Sequence, residues 1–404
     1  MDKTYKSKRY QIILIFTCWL IYSIAQLGRY SYSSNINLIM TKYSVNHTDA
    51  SLPATLFFLF YGIGQILNGI LCNRYNRRIV LTVALLGSGV INGLIYFNIE
   101  FVYIKYLWAL NGFLQSSLWV LLMQTISVEI ERKLLEFAAL MMSMSSTIGT
   151  FLTYGLSAII TSIGQFEFSF LLSAVLLIFA AAVWFTFSFT FKKSGATAEE
   201  ISEKETSDVP QKFALLLILF IFFSIVSYAI SGGLKSWSPA ILKETFELND
   251  WVSIFLSVLL PFFSIFNSII AGRLYKLFKN FILVSIFGFF ATSILLIPTI
   301  FVFNFSWILT LILLILICIS SGVVTNAMTV QAPLFLKNKK FSAGFLAGIL
   351  NGSCYFGNAI STLTLGVIAD NSEWNKIFVF FLILSIISLI IGSICYRYTK
   401  RSKK

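Results

Sequence analysis

Charge is what this chain has least of. Only 12% of its 404 residues are Asp, Glu, Lys or Arg, about half of what a soluble globular chain carries. The seventeen carboxylates are the scarcer sign, and all of them fall in loops or at the ends of apolar runs. Proton and cation coupling normally use an Asp, Glu or His buried at membrane depth, and a cationic substrate needs a counter-charge, so neither is expected. The sole histidine, His47, reads as an outer-loop residue. The five cysteines (Cys18, Cys72, Cys318, Cys354 and Cys395) stand singly, at no metal or redox spacing. They read as small core residues rather than ligands. No nucleophile–base pair, metal cluster or phosphate-cradling loop is present, so neither an enzyme nor a cofactor is expected.

What the chain has is length of apolar run. Hydrophobic residues make up 57% of it, in twelve stretches at roughly 11–38, 52–72, 79–98, 102–126, 135–160, 166–190, 213–240, 252–275, 281–303, 306–330, 341–368 and 375–396. Each is long enough to cross a hydrocarbon core of ~30 Å as a helix. Lipid satisfies no open backbone group, so these runs must be helices. The first run is too long for a signal-peptide core and reads as a retained span. With the N-terminus inside, 24 of the 30 Lys and Arg fall on inner segments. That bias puts both termini in the cytoplasm, in a cell membrane. The net charge of +13 is then a topology signal with some attraction to anionic lipid, and no nucleic-acid partner is expected.

Lys192 to Lys212 (KKSGATAEEISEKETSDVPQK) is polar and nearly free of apolar residues. It divides the chain into 1–191, a linker at 192–212, and 213–404. The halves look like repeats. SIAQLGRYSYSSNINL (23–38) and SYAISGGLKSWSPAIL (227–242) share Ser, Ala, Gly and Ser at an offset of 204. A Gly followed by a basic turn closes the second span (GILCNRYNRR, 69–78) and the eighth (GRLYKLFKN, 272–280). Two parallel repeats of six spans joined by a polar loop resemble the major facilitator transporters. The expected fold is therefore an all-α integral membrane protein, twelve transmembrane helices in two six-helix bundles. The basic turn is similar to that superfamily's loop signature at Gly69, Arg74, Arg77 and Arg78, with Asn73 at its acidic position and Asn76 at its second Gly. These four residues are expected to form a cytoplasmic gate loop, the basic segments 73–78 and 273–279 latching that face in the outward-open state; the plainer reading of the arginines is an ordinary positive-inside loop.

Within that superfamily, four stretches resemble the organophosphate:phosphate antiporters, the family of the glycerol-3-phosphate and hexose-phosphate transporters. They are LGRY (27–30), GFLQSSLWVLLMQT (112–125), SWSPAIL (236–242) and QAPLFLKNKKFSAGFLAGILNGSCYFGN (331–358). The resemblance implies a substrate phosphate held between arginines on the first and seventh helices. Arg29 falls on the first, but Ser231 stands where the second is expected, and Lys235 lies four residues further along the same face. Ser146 takes the position of the family's fifth-helix histidine, and Tyr30 that of a basic residue.

Arg29 is the sharpest single feature. A charge at membrane depth costs at least ~2.5–3.5 kcal/mol and is a functional hypothesis by default. Arg29, Lys235 and Lys105 could each instead snorkel outward. Candidate substrate contacts are Arg29, Lys235, Tyr32, Gln115, Trp119, Ser146, Ser231, Asn326 and Tyr355, lining spans 1, 4, 5, 7, 10 and 11. Tyr32, Trp119 and Tyr355 have packing as their alternative; Gln115, Asn326 and Asn351 have hydrogen bonding between helices. With no acid to neutralise Arg29, the expected partner is a small anionic solute met in a wet cavity. A phosphorylated metabolite exchanged for inorganic phosphate by a monomeric transporter comes first. A facilitator of a non-phosphate organic acid, and a transporter-fold sugar-phosphate sensor, are the alternatives.

Overall fold

A computed structural model describes residues 7–71, 76–189, 211–333, 343–371 and 374–401. Among them the chain is helical throughout. The first half runs α1 (Lys8–Ser34), α2 (Ile36–Tyr43), α3 (His47–Leu71), α4 (Arg77–Tyr96), α5 (Phe101–Glu129), α6 (Arg132–Ser162) and α7 (Phe168–Ser188). The second runs α8 (Gln211–Phe246), α9 (Asp250–Ser257), α10 (Leu259–Phe263), α11 (Phe266–Phe278), α12 (Phe281–Val302), α13 (Trp307–Asn326), α14 (Ala343–Ala369) and α15 (Trp374–Arg401). Taking α1 with α2, and α9 to α11 together, these are twelve crossings in two sets of six. Ten of them are long and apolar enough to cross a membrane on composition alone. Of the segment read as a linker, 192–212, residues 192–210 lie outside the described residues and Gln211 and Lys212 open α8.

Lipid offers no hydrophobic drive for one helix to bind another, so close contact needs small residues. Gly149 of α6 presses on the Ser23 carbonyl of α1, and Gly357 of α14 presses on the Ile225 carbonyl of α8. These are corresponding crossings in the two halves, as the repeat expects. Gly112, the first residue of the fourth-span motif, lets α5 lie directly on the Phe57 carbonyl of α3. One apolar core draws only on the first half (Leu14, Leu85, Leu118, Trp184). A second is almost wholly from the other half (Phe223, Trp237, Leu314, Phe378). A third, aromatic cluster joins them and contains Tyr61, Tyr154 and Tyr355.

Across the halves, α3 lies along α14, and α6 along α9 and α10. A Cβ on Gly352 would stand 3.0 Å from the Gly62 carbonyl, and one on Gly348 would stand 3.4 Å from the Gly69 Cα. At the opposite end a Cβ on Gly366 would lie 2.9 Å from the His47 carbonyl. The halves therefore meet on both sides of the level where Tyr61 faces Tyr355.

Candidate functional site

Arg29 is carried by α1, and the helical chain continues beyond it to Tyr43 with one break at Asn35. Fourteen residues at 1.5 Å each put about 21 Å of chain between Arg29 and that end, too far for the side chain to snorkel. It turns inward and is 1% exposed. Nη1 donates to the Tyr355 hydroxyl at 2.7 Å, and Nε donates to Gln115 Oε1 at 3.4 Å. Nη2 is buried without a hydrogen-bond partner. Rings close around the guanidinium: Tyr61 at 4.3 Å, Tyr355 at 5.6 Å, and Tyr22 and Phe57 each at 5.8 Å. Desolvated cation–π contacts are worth ~2 kcal/mol or more at good geometry, which offsets part of the cost of burying the charge. Among the described residues no carboxylate pairs with Arg29.

A polar network fixes the floor beneath it. Gln115 Nε2 donates to Ser88 Oγ at 2.8 Å, and Ser88 donates to Asn111 Oδ1 at 2.6 Å. Asn111 Nδ2 reaches the Gly28 carbonyl at 2.9 Å, joined there by Asn92 Nδ2 at 3.4 Å. Ser31 donates to Asn92 Oδ1 at 3.3 Å. The backbone before Arg29 and the acceptor on its Nε are thus held by one chain of bonds through α1, α4 and α5. Ser88, Asn92 and Asn111 were not among the expected site residues. Their only signal in the sequence is being polar in apolar spans.

Gln115 and Tyr355 join Arg29; the other candidates are placed elsewhere. Lys235 is half-buried, with its carbonyl accepting from the Tyr154 hydroxyl at 2.7 Å. It shares no neighbour with the guanidinium. The α8 residue at the level of Arg29 is Tyr228, whose ring lies 5.5 Å from that of Tyr355. Lys235 is seven residues further on, about 10 Å along the helix. Ser231 is buried and donates to the Ser227 carbonyl at 3.1 Å. Tyr32 is fully buried, its hydroxyl bound to the Ala50 carbonyl at 2.8 Å and its ring on Trp108. Trp119 packs on Tyr22 at 5.0 Å. The Ser146 carbonyl accepts from Thr150. Asn326 donates to Ser268 at 2.7 Å, just before a π-helical turn at Ala327–Gln331. The second span, absent from the expected lining, supplies Phe57 and Tyr61. The wet cavity expected around Arg29 is also revised: the aromatic rings enclose the cation.

Two further expectations change. Arg77 and Arg78 both contact groups of their own half. Arg77 Nη2 lies 3.9 Å from Glu129 Oε1, and the Arg78 guanidinium stacks over Phe189 at 3.0 Å, so both brace helices of their own half. Arg74 lies outside the described residues, and Gly69 lies against Gly348 of α14. His47 is no free loop residue but the first residue of α3, bonded to Glu244 and Asp370 of the second half.

The family model of the Major Facilitator Superfamily matches residues 18–362. The chain belongs to the major facilitator superfamily. It is a multi-pass membrane protein of a family of transporters rather than enzymes. Membrane sensor protein UhpC of Escherichia coli (strain K12) is 32% identical over 116 residues, 29% of this chain and 26% of that protein. UhpC of Salmonella typhimurium matches to the same extent. Either match spans about a quarter of the relative's length. Solved structures of a bacterial homolog to the human lysosomal transporter Spinster superpose on 98% of this chain and 98% of theirs. The inward-facing, occupied form gives a TM-score of 0.74 at 14% identity, the unoccupied form 0.75 at 15%. At such identity the likeness is one of fold.

Proposed function

We propose that this major facilitator carries a small organic anion, a phosphorylated metabolite exchanged for inorganic phosphate, with Arg29 as its binding group. One observation supports this above all. A buried guanidinium sits where the halves meet, without an acid partner and with Nη2 unbonded. Its present acceptors, a phenol and an amide, are neutral. An ionised carboxylate or phosphate forms roughly twice as strong a hydrogen bond and suits the guanidinium fork. Tyr355 comes from the other half, so an anion bridging Arg29 to that side draws the halves together around itself. Alternating access then follows from rocking of 1–191 against 213–404, joined by 192–212, with both termini cytoplasmic.

The test is counterflow in proteoliposomes loaded with inorganic phosphate. Arg29→Ala abolishes exchange while leaving expression near normal, and Arg29→Lys, without the fork, retains little of it. Wild-type exchange in Arg29→Ala would exclude the residue from the mechanism. Two features favour different substrates or outcomes. Ser231 in place of a second arginine suits a non-phosphate organic acid, which inorganic phosphate would fail to displace. The relatives named as membrane sensors favour a receptor, which would bind a sugar phosphate without counterflow. A thermal-shift screen of phosphorylated metabolites, phosphate and organic acids on purified protein separates these, because binding to the native state raises the melting temperature.

A further inference from the structure

The helix α3 opens with His47 at the end of the interface opposite the two termini. Its ring lies between two carboxylates of the second half. Nε2 is 2.8 Å from Glu244 Oε1 on α8, and Nδ1 is 3.1 Å from Asp370 Oδ1 at the end of α14. The backbone N–H of His47 also donates to Asp370 Oδ1, at 2.7 Å. Thr48 donates to Oδ2 through its N–H at 3.1 Å and through its hydroxyl. The charged groups facing the ring are thus Glu244 from α8 and Asp370 from the end of α14. From α15 comes the uncharged Trp374, whose Nε1 holds Glu244 Oε2 at 3.1 Å. Behind the ring stand Trp237 at 6.0 Å and Trp374 at 5.9 Å. The side chains of His47, Glu244 and Asp370 are 17%, 31% and 24% exposed, so protons reach them from the adjoining solution.

The protonation state follows from the partners. An ionised carboxylate only accepts, so a ring nitrogen facing one must donate. With both nitrogens so placed, both carry protons and the ring is an imidazolium. A neutral imidazole would turn a lone pair toward one of the two anions. Partial burial would raise the Asp370 carboxyl, but hydrogen bonds from the Thr48 hydroxyl and from the backbone of His47 and Thr48 hold it below its ordinary value. It therefore stays ionised through the range where histidine titrates.

We propose that His47, Glu244 and Asp370 form a proton-operated latch that closes this face of the transporter only while the ring is charged. Separating α3 from α8 and α14 breaks both ion pairs and returns the ring to solvent, where it loses its proton with an ordinary value near ~6.5. The latched form therefore holds one more proton than the opened form. By linkage, closure is favoured at and below about pH 6.5 and weakens as pH rises above it, by at most about tenfold per unit for one proton. Acidification on this side drives the closing step, whatever solute Arg29 binds.

The experiment needs no substrate. Spin labels at Thr41→Cys and Asn249→Cys report the separation of the halves on this face, by double electron–electron resonance in lipid nanodiscs, with the native cysteines replaced. The expected result is a ratio of short- to long-distance populations that falls by about threefold or more between pH 6 and pH 8. His47→Gln, which cannot charge, should make the distances independent of pH. His47→Lys, a fixed cation, should hold the short distance across the range and serves where His47→Gln fails to fold. Distances that do not respond in the wild type, or a response that persists in His47→Gln or His47→Lys, overturn the latch. Neither result bears on Arg29, because no anion is present.

Discussion

Two residues that touch Arg29 should fail in different ways, because they are tied to different things. Gln115 is knotted into bonds with Ser88 and Asn111 inside one half. Gln115→Leu leaves Arg29 Nε unmet at a buried position and removes the donor to Ser88 and Asn111, at a cost of roughly 1–3 kcal/mol. A fall in melting temperature of the purified protein, with transport lost alongside, is the expected outcome; an unchanged melting temperature would contradict the network. Tyr355→Phe keeps the ring that faces Arg29 and removes only the hydroxyl that joins the halves. Melting should then fall less than in Gln115→Leu, since a single bond rather than a network is lost, while exchange falls by about tenfold, the worth of one hydrogen bond to a charged group. Arg29 itself was legible in the sequence as a charge in an apolar run. Of its cage only Tyr355 was singled out, since Tyr22, Phe57 and Tyr61 are unremarkable aromatics until α1, α3 and α14 are brought together. Lys235 was a reasonable second cation by face, but face says nothing of depth, and two helical turns separate it from the level of Arg29.

Helix contacts sort into those that build a half and those that let the halves part. Gly112 belongs to the first kind, because any Cβ there overlaps the Phe57 carbonyl of α3. Gly112→Val should force α5 off α3 and give protein that aggregates on size-exclusion chromatography. Gly352 belongs to the second kind: a Cβ would stand 3.0 Å from the Gly62 carbonyl across the interface, where the two helices can separate without disturbing either bundle. Gly352→Leu should therefore fold, but with the face nearer the termini held open. Increased labelling of a cysteine placed at Gly69 by a membrane-impermeant maleimide checks this; unchanged labelling would mean that α3 and α14 do not close that face. Spans were easy to read because twenty apolar residues admit little other than a crossing helix. Which spans touch was harder. His47 seemed idle because Glu244 and Asp370 lie 197 and 323 residues away in the chain, and no local pattern signals such a meeting.

The whole molecule is two bundles meeting at a seam of α3 with α14 and of α6 with α9 and α10. Each half encloses its own apolar core, one drawn from α1 and α4 to α7, the other almost entirely from α8 to α15. Among the described residues, bonds across the seam include Arg29 to Tyr355, Tyr30 to Tyr228, Tyr154 to the Lys235 carbonyl, Ser143 to Ser268, Asn351 to Gln65, and the His47 cluster. Such a seam suits a transporter that must break and remake it in every cycle. Packing within a half supplies stability, while contacts between halves sit near balance so that a ligand can tip them. If that division holds, covalent continuity between the halves is dispensable. Residues 1–200 and 201–404, expressed as separate chains in one cell, should insert independently and copurify through a tag on either fragment. The pair should show the same ligand-induced rise in melting temperature as the intact chain, with a lower yield because association has become bimolecular. If each fragment reaches the membrane but neither retains the other, the seam is weaker than its hydrogen bonds imply. Aggregation of either fragment would instead mean that its bundle leans on the other half to fold, against the separation of the two cores.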